Sequence, residues 1–194
     1  MIERQNITGI ILAGGKSSRM GTDKGFLLLN NKPFIQYSIE ALKPLVSEII
    51  IVSDNPDYDA FRLKRVNDIT KNAGPVAGIC SGLEASSTSY NLILSCDIPL
   101  ISSEILQKLI DNIHDGYEVI QVESINKTMP LIALYRKSVK ETFKNLLEKD
   151  ERRLRVAIQA CKFKNVALEA RYQISTSNVN TKEELKAIED VYNY

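Results

Sequence analysis

Apolar residues along this chain fall into two rhythms: short continuous runs, and stretches where they recur every three or four positions. Ile7–Leu12 is the first run and predicts a buried strand. Phe26–Leu29 is a shorter apolar piece closed by the turn Asn30-Asn31-Lys32. Pro33 then opens a helix that carries Ile35, Ile39 and Leu42 at helical spacing. The β-branched run within Glu48–Ser53 predicts a second parallel strand. Asp54–Asp59 reads as a polar loop, and a short strand over Lys64–Asn67 delivers Asp68 at its end. Gly74-Pro75-Val76-Ala77-Gly78 predicts a tight turn that starts a helix running to about Ala85. Asn91–Ser95 predicts a buried strand that ends in Cys96-Asp97-Ile98-Pro99, and Ser102, Ser103 and Glu104 start the next helix in capping fashion. Strands follow over Tyr117–Val122 and Pro130–Tyr135, helices over Ser138–Lys149 and Arg152–Cys161, and a strand over Lys164–Leu168. The last helix, Thr181–Asp190, is capped by Thr181 with Glu184 three residues on.

Strands alternating with helices imply an α/β fold with a mostly parallel sheet. Ligands of such sheets sit at the carboxyl ends of the strands. The polar residues expected there are the Gly14 loop, Ser53–Asn55, Asp68 and Asp97, all along one edge.

The stretch from Leu12 to Lys24 has the chemistry of a phosphate loop. Gly14 and Gly15 lack a Cβ, which permits unusual backbone angles and lets a ligand press against the amides. Arg19 offers a planar fork of donors, and Lys24, read as an exposed loop lysine, offers a compact charge. The loop lacks the third glycine of G-x-G-x-x-G and the G-K-[ST] ending of a Walker A loop. Asp97 directly follows a strand, where a carboxylate can hold Mg²⁺ together with substrate phosphates. A turn or capping role is the alternative for it. Phosphate, Mg²⁺ and a near absence of histidine point to nucleotidyl transfer. An attacking phosphate monoester has a second pKa of about 6 and needs no general base. Arg19, Lys24 and the metal then only align it and neutralise charge. Ser53, Asn55 and Asp68 are candidates for reading a base, with Asp68 suited to the N–H donors of guanine. Turn formation is the alternative for these loop residues.

Composition narrows the picture. The 194 residues are 44% hydrophobic and 25% charged with net charge +1, so no global field advertises nucleic acid or an anionic membrane. No long apolar segment or signal peptide is evident, because Glu3 and Arg4 precede only a short strand. Cys80, Cys96 and Cys161 are far apart and form no C-x-x-C, which argues against a disulfide frame or zinc site and makes the cytoplasm the default expectation. The one histidine, His114, lies at a helix end, in a solvated or capping position.

Together these residues resemble the molybdenum cofactor guanylyltransferases, the MobA family. Leu12-Ala13-Gly14-Gly15, Arg19-Met20-Gly21 and Asp23-Lys24-Gly25 look like the signature of the wider sugar-nucleotide and cofactor nucleotidyltransferases. Gly74-Pro75-Val76-Ala77-Gly78 and Cys96-Asp97-Ile98-Pro99 narrow it, as do Glu151-Arg152-Arg153 and the closing Asn178-Val179-Asn180-Thr181-Lys182-Glu183-Glu184-Leu185. The resemblance implies a Rossmann-like three-layer domain of the nucleotide-diphospho-sugar transferase type over residues 1–194. It implies transfer of GMP from GTP to molybdenum-bearing molybdopterin, with release of pyrophosphate. It implies GTP contacts from Leu12, Ala13, Gly14, Lys24 and Asp68, with Asp97 on GTP and Mg²⁺, and places Arg152, Arg153, Asn178 and Asn180 on the pterin side. A MobB-like accessory GTP-binding protein and acceptor molybdoenzymes are the partners it suggests. Two positions depart from the family: Ser53 stands where asparagine is frequent, so that either Asn55 takes over the base contact or neither residue makes it, and Met129 stands where histidine often precedes the proline. The rival readings are a cytidylyltransferase for the same pterin, another small nucleotidyltransferase, and a non-catalytic nucleotide-binding regulatory module. Asn178 and Asn180 as caps of the last helix, and Arg152 and Arg153 as a solvated face, are the structural alternatives.

Overall fold

The fold is taken from a computed structural model that describes residues 3–14, 23–70, 73–114 and 116–192, with side chains given to residue 190. Its centre is a seven-stranded sheet in the order β5-β4-β1-β6-β8-β7-β9. These strands are β1 (Ile7–Leu12), β4 (Glu48–Val52), β5 (Lys64–Val66), β6 (Tyr90–Ser95), β7 (Val119–Ser124), β8 (Lys127–Arg136) and β9 (Phe163–Ala167). Only β8 runs against the others. The central strands β1 and β4 are covered on both faces and are therefore continuous apolar runs rather than alternating ones.

Helices α1 (Phe34–Leu42) and α3 (Ser103–Asp111) bury Ile35, Ile39, Leu42, Ile105 and Leu109 with one face of the sheet. Helices α2 (Pro75–Ala85), α4 (Val139–Glu148) and α5 (Leu154–Gln159) cover the other face through Val76, Ile79, Leu83, Phe143 and Ile158. The last helix, α6 (Lys182–Tyr192), packs separately: its Ile188 joins Val179, Leu29, Phe34 and Tyr37 in a third cluster. No helix among the described residues is long and apolar enough to cross a membrane.

The predicted elements are present with shifted ends, and three differ in kind or extent. Pro33 does not open α1 but caps it in an extended conformation, because Leu28–Leu29 (β2) and Lys32–Pro33 (β3) close a hairpin. Asn30 and Asn31 turn that hairpin with φ of 49° and 60°, the left-handed angles that asparagine tolerates best after glycine. The polar loop after β4 winds into a 3-10 helix, Pro56–Phe61, whose N-terminus is capped by Asn55. Arg152 and Arg153 precede α5 rather than lying in it. His114 is exposed, and its Nδ1 accepts from the Gly116 N–H at 3.3 Å, in keeping with a solvated turn position.

Candidate active site

The parallel strands β5, β4, β1 and β6 end side by side. Backbone hydrogen bonds lock the residues just beyond them: Ala13 N–H to Val52 O (3.0 Å), Ser53 N–H to Val66 O (3.0 Å) and Cys96 N–H to Leu12 O (3.1 Å). A cavity of about 760 Å³ opens over these ends, lined by Leu12–Gly14, Ser53–Asn55, Asp68 and Asp97. The four polar elements expected along one edge therefore share one cavity. Gly15 and Arg19 lie outside the described residues.

Glycine serves this cavity in ways the residue type alone does not reveal. Gly14 has no positive φ, and a Cβ placed on it would meet nothing within 4 Å, so its bare backbone simply faces open space. Gly74 is the residue with the left-handed angle, φ +75°, and it caps α2 at the cavity rim.

Lys24 is not an exposed loop lysine. It begins a 3-10 turn, Lys24–Phe26, capped by Asp23. Asp23 holds this turn against the strand ends: Oδ1 accepts from Tyr58 Oη (2.5 Å) and Gly25 N–H (3.1 Å), and Oδ2 accepts from Asn55 Nδ2 (3.1 Å). Tyr58 is wholly buried and stacked on Phe26 at 4.5 Å. Burial, with the nearby Asp23 carboxylate, pushes its phenol far above the ordinary range, so it stays a donor. A Cβ on Gly25 would lie 2.2 Å from the Tyr58 oxygen, which is why glycine follows Lys24.

So anchored, the Lys24 ammonium reaches Asp97 Oδ2 at 3.0 Å and also donates to Asn180 Oδ1. The other Asp97 oxygen accepts from Ser95 Oγ at 2.6 Å and from Asn178 Nδ2 at 3.4 Å. The two asparagines arrive there because Val179 between them is fully buried and its N–H binds the Asp97 carbonyl at 2.8 Å. In an extended segment residues two apart share a face, so anchoring Val179 inward turns both its neighbours toward the carboxylate. The following turn is a capping box: Glu184 Oε2 accepts from Asn180 N–H and Thr181 N–H, and Thr181 Oγ1 accepts from Glu184 N–H at 3.2 Å.

Asp68 accepts from Ser81 Oγ at 3.1 Å. Burial and the Asp54 charge raise its pKa, against the lowering effect of the Ser81 bond. Ser53 is buried and its Oγ accepts the Asn55 N–H at 3.2 Å. Both ends of the Asn55 amide are engaged, Nδ2 by Asp23 and Oδ1 by Asp57 N–H at 3.0 Å. The Asp68 carboxylate also takes backbone N–H bonds from Thr70 and Ile69, so local bonds engage all three candidate base readers, and Asp68 is the one of them that carries a charge.

A second cavity of about 1140 Å³ adjoins the first and is lined by Met129–Ile132 of β8, Ile98, Asn178, Asn180, Leu154 and Arg155. Arg152 and Arg153 do not line it. They are exposed and bind Asp150 and Glu151 in their own turn. Arg155, two residues further on, does line it, as does Lys127, and neither pairs with a carboxylate among the described residues. Sequence reading missed Arg155, Lys127, Asp23 and Tyr58. Asp23 sits in the quoted glycine-rich motif, whereas nothing local marks the other three.

The family described as the MobA-like NTP transferase domain matches residues 9–165. The chain belongs to this family. Among curated relatives, a probable molybdenum cofactor guanylyltransferase of Flavobacterium johnsoniae is 36% identical over 93% of this chain and 95% of its own length. A molybdenum cofactor guanylyltransferase of Yersinia pestis is 33% identical over 91% of each chain. Among solved structures, the molybdopterin-guanine dinucleotide biosynthesis protein A of Archaeoglobus fulgidus shares the fold with a TM-score of 0.81 over 96% of this chain and 98% of that one, at 21% identity. A 4-diphosphocytidyl-2C-methyl-D-erythritol synthase of Anaerococcus prevotii also superposes, at TM-score 0.76 and 14% identity over 98% and 97%, so this MobA-like fold alone does not select the base.

Proposed function

We propose that the protein transfers GMP from GTP to molybdenum-bearing molybdopterin, giving molybdopterin guanine dinucleotide and pyrophosphate. One observation carries the reading: the Lys24–Asp97–Asn178–Asn180 cluster stands between a cavity at the strand ends, on which Asp97 opens, and a larger one lined by Asn178 and Asn180. Full-length similarity to named guanylyltransferases supports the chemistry assigned to the two cavities.

The smaller cavity takes GTP in this reading. Asp68 accepts from the guanine N–H groups, and the backbone from Leu12 to Gly14 faces the phosphates. The larger cavity takes the pterin, with Asn178 and Asn180 at its inner end and Lys127 and Arg155 as cations for its phosphate. The acceptor phosphate oxygen bonds to the α-phosphorus, the bond from that phosphorus to the β-phosphate oxygen breaks, and pyrophosphate leaves. Lys24 faces both phosphates and offsets the charge that develops. Asn180 fixes the Lys24 ammonium, and Ser95 and Asn178 fix the Asp97 carboxylate.

The residues fit a Mg²⁺ ion. No group of three acidic, histidine or cysteine side chains among the described residues forms a closed metal cage. A single carboxylate, Asp97, is what Mg²⁺ requires when substrate phosphates and water complete its shell. When bound, the ion polarises phosphoryl oxygens and neutralises their charge. The family resemblance also supports a MobB-like accessory protein and acceptor molybdoenzymes as partners, and three free, buried cysteines suit the reducing cytoplasm. Calorimetric titration with GTP, CTP and UTP tests the base assignment: GTP binds most tightly if Asp68 reads guanine, and tighter CTP binding indicates a cytidylyltransferase.

A further inference from the structure

The ladder between β7 and β8 breaks at the cavity wall. While β7 advances one residue, from Gln121 to Val122, β8 passes from Ala133 to Met129. Pro130, Leu131 and Ile132 are the surplus, and only Ile132 still pairs elsewhere, with Leu94 of β6. Pro130 has no N–H with which to continue the ladder. One side chain spans the break. The Tyr135 hydroxyl donates to the Pro130 carbonyl at 2.8 Å. The Tyr135 ring is itself wholly buried, edge-on to Phe143 at 6.1 Å.

The held loop carries Leu131, which among the described residues is the one side chain lining both cavities. We propose that Tyr135 is a positioning residue: its hydroxyl closes the bulge and so fixes Leu131 as the wall that sets the acceptor against the nucleotide. The proposal rests on the two-cavity reading above. The bond joins residues five apart in one strand, so it ties no two elements of the fold together. Its loss leaves the ring packed, and Pro130, which carries the acceptor carbonyl, is a half-buried residue rather than a core one. What it controls is the path of the three surplus residues, and through them the acceptor's approach. In phosphoryl chemistry of this kind, a displacement of about 1 Å costs on the order of a hundredfold.

A double-mutant cycle tests this, using the full chain, GTP, Mg²⁺ and molybdopterin. Tyr135→Phe is expected to lower kcat/KM for the acceptor roughly tenfold, mostly through kcat, a fraction of the full misplacement penalty. Its melting temperature is expected to stay within a few degrees of the parent. Leu131→Ala is expected to do the same or more. Combining the two should give no more than Leu131→Ala alone, because both act through one side chain. Effects that multiply, or a Tyr135→Phe enzyme with parental kcat, overturn the proposal. Calorimetry on the unmutated protein separates the two levels. If it binds no GTP, the two-cavity reading and the proposal fall together. If it binds GTP and the cycle is additive, the proposal alone falls.

Discussion

Asp97→Asn removes one charge while keeping size and most hydrogen bonds, and the structure fixes what that should do. The Asp97 and Lys24 side chains are 11% and 21% exposed and lie 3.0 Å apart. At an effective dielectric of about 20, charges at that distance attract by about 5 kcal/mol, most of which offsets the cost of taking both from water. Asparagine can still accept from Ser95 or Lys24, and Lys24 keeps Asn180. The net loss of stability is therefore about 1–2 kcal/mol, below the 3–5 kcal/mol of a broken, fully buried pair. In a domain of this size that lowers the melting temperature by roughly 2–8 °C. The activity loss should be far larger. A group that stabilises charge only as it develops is worth about 3–4 kcal/mol, or roughly 10²–10³ in kcat. A turn or capping aspartate would tolerate the change, since asparagine caps equally well. The assay is pyrophosphate release over a Mg²⁺ titration, with parent and variant both above half-saturating GTP. Similar rates with the same Mg²⁺ dependence would refute the role given to Asp97.

Gly25→Ala places a methyl 2.2 Å from the Tyr58 oxygen, so it should cost about 1–3 kcal/mol in urea unfolding and displace Lys24, lowering turnover as well. Asp68 has a pKa above the ordinary 3.8, because burial and Asp54 disfavour its charge; its acceptor role is present at neutral pH and lost as the pH falls through that raised value. The preference for GTP over ATP in calorimetry should accordingly shrink on acidification before 3.8 is reached, and Asp68→Ala should abolish that pH dependence. Glu84 is held at about 2 by its bonds to Lys144 and Lys140, so its contribution is present above its ordinary 4.5 and lost toward 2. The gap in melting temperature between parent and Glu84→Gln should be open at neutral pH, close near pH 2, and narrow in high salt.

What the sequence made legible was local. The apolar runs of β1 and β4, the glycine at the head of α2 and the capping box of Thr181 and Glu184 are visible because strand, turn and cap chemistry depend on near neighbours. The Lys24 pairing was not visible: Asp97 and Asn180 lie 73 and 156 positions away, joined only by the folded path. Asn55 reads as a polar base reader or as a turn former; its local bond to the Asp57 N–H is the turn-forming one, and only the arrival of Asp23, 32 positions away, shows how the other end of its amide is spent. Arg152, Arg153 and Arg155 are alike in sequence. Their roles diverge because Asp150 and Glu151 engage the first two, while the turn of α5 carries the third to the cavity.

The central claim is that the Lys24–Asp97 cluster joins a guanine nucleotide to an acceptor phosphate. Its most direct measurement incubates the protein with GTP labelled in the α-phosphate, Mg²⁺ and molybdopterin, and follows both label and pyrophosphate. The account predicts label in a dinucleotide product, one pyrophosphate per GMP transferred, and neither without the acceptor. Transfer from CTP at an equal or greater rate, or GTP consumption that leaves the acceptor unlabelled, would contradict it.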